Sequence, residues 1–89
     1  MKSTQIIVPN KLGLHARAAA KLVGAASKFS AEVYVEKDGN RINGKSIMGV
    51  MMLAASKGTE ITIITDGKDE ESALEALITL VRDGFGEEQ

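Results

Sequence analysis

The chain has 89 residues, 44% hydrophobic and 26% charged, with a formal charge of −1. That length makes one domain over residues 1–89 with a modest core, so a surface site is expected rather than an enclosed cleft. Near-neutral charge and only three aromatic residues (Phe29, Tyr34, Phe85) argue against binding nucleic acid, and the lack of cysteine excludes disulfides and thiolate chemistry.

Thr4–Val8 alternates as a strand, with Thr4, Ile6 and Val8 on one face and Gln5 and Ile7 on the other. Pro9–Gly13 breaks that pattern and reads as a loop. From Ala16 to Lys28 the period becomes helical: Ala19, Leu22, Val23 and Ala26 form one apolar stripe, and Arg17, Lys21 and Lys28 lie opposite it. Ala31–Lys37 alternates again, with Val33 and Val35 facing one way and Glu32, Tyr34 and Glu36 the other. Asp38-Gly39 is a hairpin signal, because such turns need positive φ, and a short return strand spans Arg41–Asn43. Ser46 is a helix-capping residue for Ile47 to about Ala55, with Lys57-Gly58 suited to its end.

Glu60–Thr65 is a fourth strand, rich in β-branched residues. Asp66-Gly67 turns into a last helix whose acidic start, Asp69, Glu70 and Glu71, suits its positive end. Ala73, Leu74, Leu77, Ile78 and Val81 form its apolar stripe, and Gly84 is a stop. The order β-α-β-β-α-β-α predicts an α+β open-faced β-sandwich: a four-stranded antiparallel sheet with three helices on one face. No stretch approaches the roughly 20 apolar residues of a membrane span, and the start has only a three-residue apolar run. A cytoplasmic protein without membrane insertion is expected.

The single histidine, His15, stands between a glycine-containing loop and a helix start. The first amides of a helix lack intrahelical partners, and the helix dipole adds partial positive charge there, so the position suits an anion. The backbone at Ala16 and Arg17 would face that anion, and the Arg17 guanidinium would add planar donors. The same surroundings favour neutral imidazole, the nucleophilic form, over imidazolium. His15 could therefore accept a phosphoryl group, with Arg17 and the helix amides stabilising the charge. The residues alone leave other readings open. A histidine here also reads as a cap, a surface residue or a satisfied core group. Non-covalent anion binding by His15 and Arg17 in a regulatory domain is a second functional class, and an adaptor controlled through Ser46 is a third. No metal site is expected, since no second histidine and no cysteine is present to complete one. No G-x-S-x-G elbow is present, and Gly39–Lys45 lacks the spacing of a P-loop.

Two motifs, Gly13-Leu14-His15-Ala16-Arg17 and Gly44-Lys45-Ser46-Ile47-Met48-Gly49-Val50-Met51, occur in register on a chain of this length. With them the whole chain resembles the HPr family, the histidine-containing phosphocarrier proteins of the phosphoenolpyruvate-dependent phosphotransferase system. The resemblance implies an open-faced β-sandwich and no cofactor. It implies phosphorylation of His15 on Nδ1 by enzyme I, passage to an enzyme IIA protein or domain, and assistance from Arg17. Such a protein is a covalent relay rather than an independent enzyme. The resemblance also implies regulatory phosphorylation of Ser46 by HPr kinase/phosphorylase. Partner docking would fall on Ala20, Lys21, Lys45, Ile47, Met48 and Met51. A monomer is expected. One departure is Ala18, where the family commonly has proline; alanine keeps the helix, so the change bears on partner preference more than on chemistry.

Overall fold

The computed structural model describes residues 1–87. Four strands, β1 (Lys2–Ile7), β2 (Glu32–Lys37), β3 (Asn40–Asn43) and β4 (Glu60–Asp66), form one sheet in the order β1-β4-β2-β3. Every neighbouring pair is antiparallel. β1 and β2 run parallel with β4 between them, so the helix that joins them must cross the sheet. That helix, α1 (Ala16–Ala26), is followed by α2 (Ile47–Met52), α3 (Glu70–Arg82) and a 3₁₀ turn at Gly84–Gly86. The predicted α+β open-faced sandwich, with three helices over one face, is the observed architecture.

The period-2 reading of the strands holds. Ile6, Val8, Val33, Val35, Ile61 and Ile63 are buried and face the helices, while Ile7 is half exposed. They pack against Ala19, Leu22 and Ala26 of α1, Val50 of α2, and Leu77 and Val81 of α3. On the open face Ile64 is also buried, paired across the ladders with Tyr34 and Ser3.

Three boundaries differ from the sequence reading by two residues or more, while the end of β1, the starts of β2 and β3 and the end of β4 shift by one. β1 begins at Lys2, because Lys2 and Ser3 find partners in Thr65 and Ile64 of β4. α1 ends at Ala26 rather than Lys28: Ser27 caps it, and Lys28 and Phe29 donate to Ala25 and Ala26 in tighter i→i−3 bonds. α2 stops at Met52 rather than Ala55. Ala54 takes φ +52°, which turns the chain so that the Ala55 carbonyl accepts from Leu14 N–H at 2.8 Å. A tertiary hydrogen bond thus ends a helix that local preference would have continued.

At the last helix, Gly84 is the stop, with φ +63°. Asp69 stands at the N-cap position, but its carboxylate serves another segment, accepting from the N–H groups of Ser30 and Ala31 at 2.8 Å each. Glu70 accepts instead from Gly67 N–H at 3.0 Å and from the N-terminal ammonium of Met1.

Candidate functional site

The site is built on the loop between β1 and α1. Asn10 O accepts from Gly13 N–H, and Asn10 Nδ2 donates to Gly13 O at 2.8 Å, so the turn is tied at both ends. Gly13 has φ +66°, and a Cβ there would lie 2.4 Å from the Ala55 carbonyl oxygen. Only glycine allows the loop to lie this close to the chain leaving α2. His15 follows as the N-cap residue of α1, in extended conformation (φ −75°, ψ 178°), and its carbonyl accepts the first helical bond, from Ala19 N–H. The amides of Ala16, Arg17 and Ala18 precede that bond and so point toward the helix start.

The His15 side chain is 29% exposed. It opens on a surface cleft of about 860 Å³ lined by Lys11, Leu12, His15, Ala16, Arg17, Lys21, Gly86 and Glu87. Three of those residues are cationic, which suits an anion. Within the cleft, the ring's Nε2 lies 2.6 Å from Glu87 Oε2. The other Glu87 oxygen accepts from Asn10 Nδ2 at 3.0 Å. The Asn10 bond, followed by that to His15, holds the Glu87 carboxyl below its ordinary range despite partial burial. Glu87 therefore faces the ring as a carboxylate, a group that accepts a hydrogen bond from the ring only when Nε2 carries the proton. A neutral ring in that tautomer has its lone pair on Nδ1. The ring thus meets a carboxylate through Nε2 and opens on a cleft that carries three cationic side chains.

The model for the family described as "PTS HPr component phosphorylation site" matches residues 2–83. The chain belongs to the HPr family. The phosphocarrier protein HPr of Neisseria meningitidis serogroup A is 55% identical over 87 residues, covering 98% of each chain. The crystal structure of HPr-C-His from Thermoanaerobacter tengcongensis superposes with a TM-score of 0.96 at 49% identity, covering 100% of both chains. A crystal structure of an HPr dimer from the same organism matches at a TM-score of 0.79 and 49% identity, covering 98% of this chain and 100% of that one. A relative in this family thus forms a dimer, where the sequence led to the expectation of a monomer for this chain. The family's proteins are phosphocarriers of the phosphotransferase system, not catalysts in their own right.

The residues singled out from the sequence divide into two groups. His15, Ala16, Arg17 and Lys21 meet in the cleft. Arg17 is exposed at its edge. Lys21 is partly committed: its ammonium donates to the Phe85 carbonyl at 2.6 Å. Lys45 lies outside the cleft lining and donates to the Phe29 carbonyl at 2.8 Å. Ala20 is exposed on α1. On α2, which packs against α1, Ile47, Met48 and Met51 are exposed, together with Met52, while Val50 alone in the helix is buried. Ser46 caps α2 as predicted, its Oγ accepting from Gly49 N–H at 3.1 Å.

Sequence reasoning missed Asn10, Phe85 and Glu87. Asn10 is fully buried although it sits in a polar loop, and Phe85 is fully buried beyond the helix stop. Gly84-Phe85-Gly86 was the available signal. An apolar ring between two glycines after a helix stop marks a chain that turns back to bury it.

Proposed function

We propose that the chain is a cytoplasmic protein-to-protein phosphoryl carrier. It accepts a phosphoryl group on His15 Nδ1 from enzyme I and passes it to an enzyme IIA protein or domain. The observation that carries this reading is the His15 ring itself. It is partly exposed at the start of α1, meets Glu87 through Nε2, and shares its cleft with Arg17. In transfer, Nδ1 attacks phosphorus and the bond to the donor breaks. The helix amides and the Arg17 guanidinium stabilise charge on the equatorial oxygens. A shallow cleft is enough, because the partner closes it and excludes water.

Docking in this reading uses the exposed face of α2, Ile47, Met48 and Met51, with Ala20 and the basic residues Arg17, Lys21 and Lys45 around it. Methionines suit such a face because their unbranched chains adapt to more than one partner.

Ser46 supports a second, regulatory reading. As the cap of α2 its Oγ already meets a helix N–H, and a phosphate ester there keeps an anion at that helix start while adding negative charge near the docking face. HPr kinase/phosphorylase would be the modifying enzyme.

Labelled phosphoenolpyruvate with enzyme I tests the main reading. The expected product is an acid-labile, alkali-stable phosphoprotein that His15→Ala does not form and Ser46→Ala does. A labelled His15→Ala protein overturns the assignment of the site. Kinase and ATP, with mass spectrometry of the Ser46 peptide, test the second reading; an unmodified peptide overturns it.

A further inference from the structure

We propose that Glu87 is the positioning residue of the site, held by Asn10 so that it fixes His15 in the Nε2–H tautomer and keeps that proton on the ring through phosphoryl transfer. The inference rests on the carrier reading above and names a residue that neither motif of the sequence contains.

The connection runs through buried or half-buried atoms. Asn10 Nδ2 donates to two acceptors, Gly13 O at 2.8 Å and Glu87 Oε1 at 3.0 Å. Two acceptors identify that atom as the nitrogen, so the amide has one orientation. Asn10 is 0% exposed, and its Oδ1 finds no hydrogen bond among the described residues. A buried acceptor without a partner is costly, so the two bonds donated by Nδ2 are what hold this residue in place. Glu87 Oε2 then meets His15 Nε2 at 2.6 Å, a charge-assisted distance, with the carboxylate side chain 13% exposed.

The chain is strained to reach this place. Gly84, Phe85 and Gly86 all have left-handed φ, +63°, +59° and +74°. For Phe85 that conformation is unfavourable, and it persists because the ring is fully buried and Lys21 binds its carbonyl at 2.6 Å. The terminal segment is thereby folded back over the start of α1, with Glu87 at the ring.

The chemistry follows from the tautomer. With hydrogen on Nε2, the Nδ1 lone pair attacks the donor's phosphorus while the bond from phosphorus to the donor breaks and its electron pair stays with the donor. The product is a phosphoimidazolium whose positive ring faces the Glu87 carboxylate. When an acceptor nucleophile attacks, the Nδ1–P bond breaks and neutral imidazole leaves with its Nε2 proton still in place. No proton has to enter or leave His15 in either direction. In the other tautomer Nδ1–H would block attack. The logic is that of a buried carboxylate orienting a catalytic histidine in a hydrolase triad.

The test uses the full chain labelled with ¹⁵N-histidine, as wild type, Glu87→Gln and Glu87→Ala, with thermal melts to confirm folding. Glutamine retains the shape, but its NH₂ can donate to Nε2 and so stabilise Nδ1–H. Wild type is expected to show Nε2–H at neutral pH, and Glu87→Gln a shift toward Nδ1–H. Charging by enzyme I and phosphoenolpyruvate should fall on the order of tenfold or more in Glu87→Gln. Unchanged ¹⁵N shifts in both variants overturn the proposal, whether the charging rate falls or not. A changed tautomer with a charging rate within about twofold of wild type also overturns it. Failure of wild type itself to be charged overturns the carrier reading instead, while the ¹⁵N shifts still report on Glu87.

Discussion

Leu14 N–H donates to the Ala55 carbonyl at 2.8 Å, which joins the loop that presents His15 to the chain leaving α2. The loop that holds the first motif is thereby tied to the segment that follows the second. Gly13 makes the approach possible, and Ala54, at φ +52°, turns the carbonyl of the next residue toward it.

Gly13→Ala is expected to damage stability and site together. Its Cβ would fall 2.4 Å from the Ala55 oxygen at φ +66°. Left-handed strain plus displacement of backbone should cost at least ~2 kcal/mol, lowering the thermal midpoint by about 8 °C or more for a domain of this size. Calorimetry checks the first effect, and charging of His15 by enzyme I, expected to be slower, checks the second.

Phe85→Ala removes a fully buried ring that anchors the terminal segment. The cavity should cost about 3–5 kcal/mol. Release of the segment should also move the His15 ¹⁵N signals in the same direction as Glu87→Ala. Urea denaturation followed by the same NMR experiment checks both.

Met48→Asp changes a side chain that is 72% exposed on α2. Stability should be within about 0.5 kcal/mol of wild type, as for surface substitutions generally. Affinity for enzyme I should fall by roughly tenfold, since an apolar anchor is replaced by a charge at the contact. Calorimetric titration against enzyme I, beside a circular-dichroism melt, checks the pair of expectations. Loss of the folded signal would place Met48 in the core.

Asp69 gives a pH dependence with a definite sign. Hydrogen bonds from the Ser30 N–H, then the Ala31 N–H, hold its carboxyl below the ordinary aspartate value of 3.8. A group whose folded value is depressed adds stability above its unfolded value and loses it as pH falls through the folded one. Wild type should therefore melt higher than Asp69→Asn at pH 7, and the gap should close as pH drops below 3.8. Parallel melts from pH 7 to pH 2 check this; a gap that stays constant contradicts it.

Periodicity was enough for the frame. Val33 and Val35 alternating against Glu32, Tyr34 and Glu36, and the stripe Ala19, Leu22, Ala26, already said which faces are buried, because one side chain in two or in 3.6 must meet the core. His15 and Arg17 were readable as an anion site because a helix start has free donors whatever surrounds it. Ser46 capped its helix for the same local reason. Strand order was outside the reach of such patterns, since nothing in the β1 sequence selects β4 rather than β2 as its partner. So was the end of α2, where the bond from Leu14 to Ala55 overrides helix preference.

The candidate site shows the same division most clearly. The sequence by itself determined the placing of His15 at a helix start and the cationic residues Arg17 and Lys21 that follow it, all properties of residues close together in the chain. Only the tertiary structure decided which nitrogen of His15 meets a carboxylate. That choice depends on Glu87, 72 positions away, and on Asn10, whose burial no local pattern signals. The path of residues 84–87 is governed by long-range packing of Phe85. Contacts of that range have no periodicity to betray them, so the partner of the His15 ring is a property of the fold.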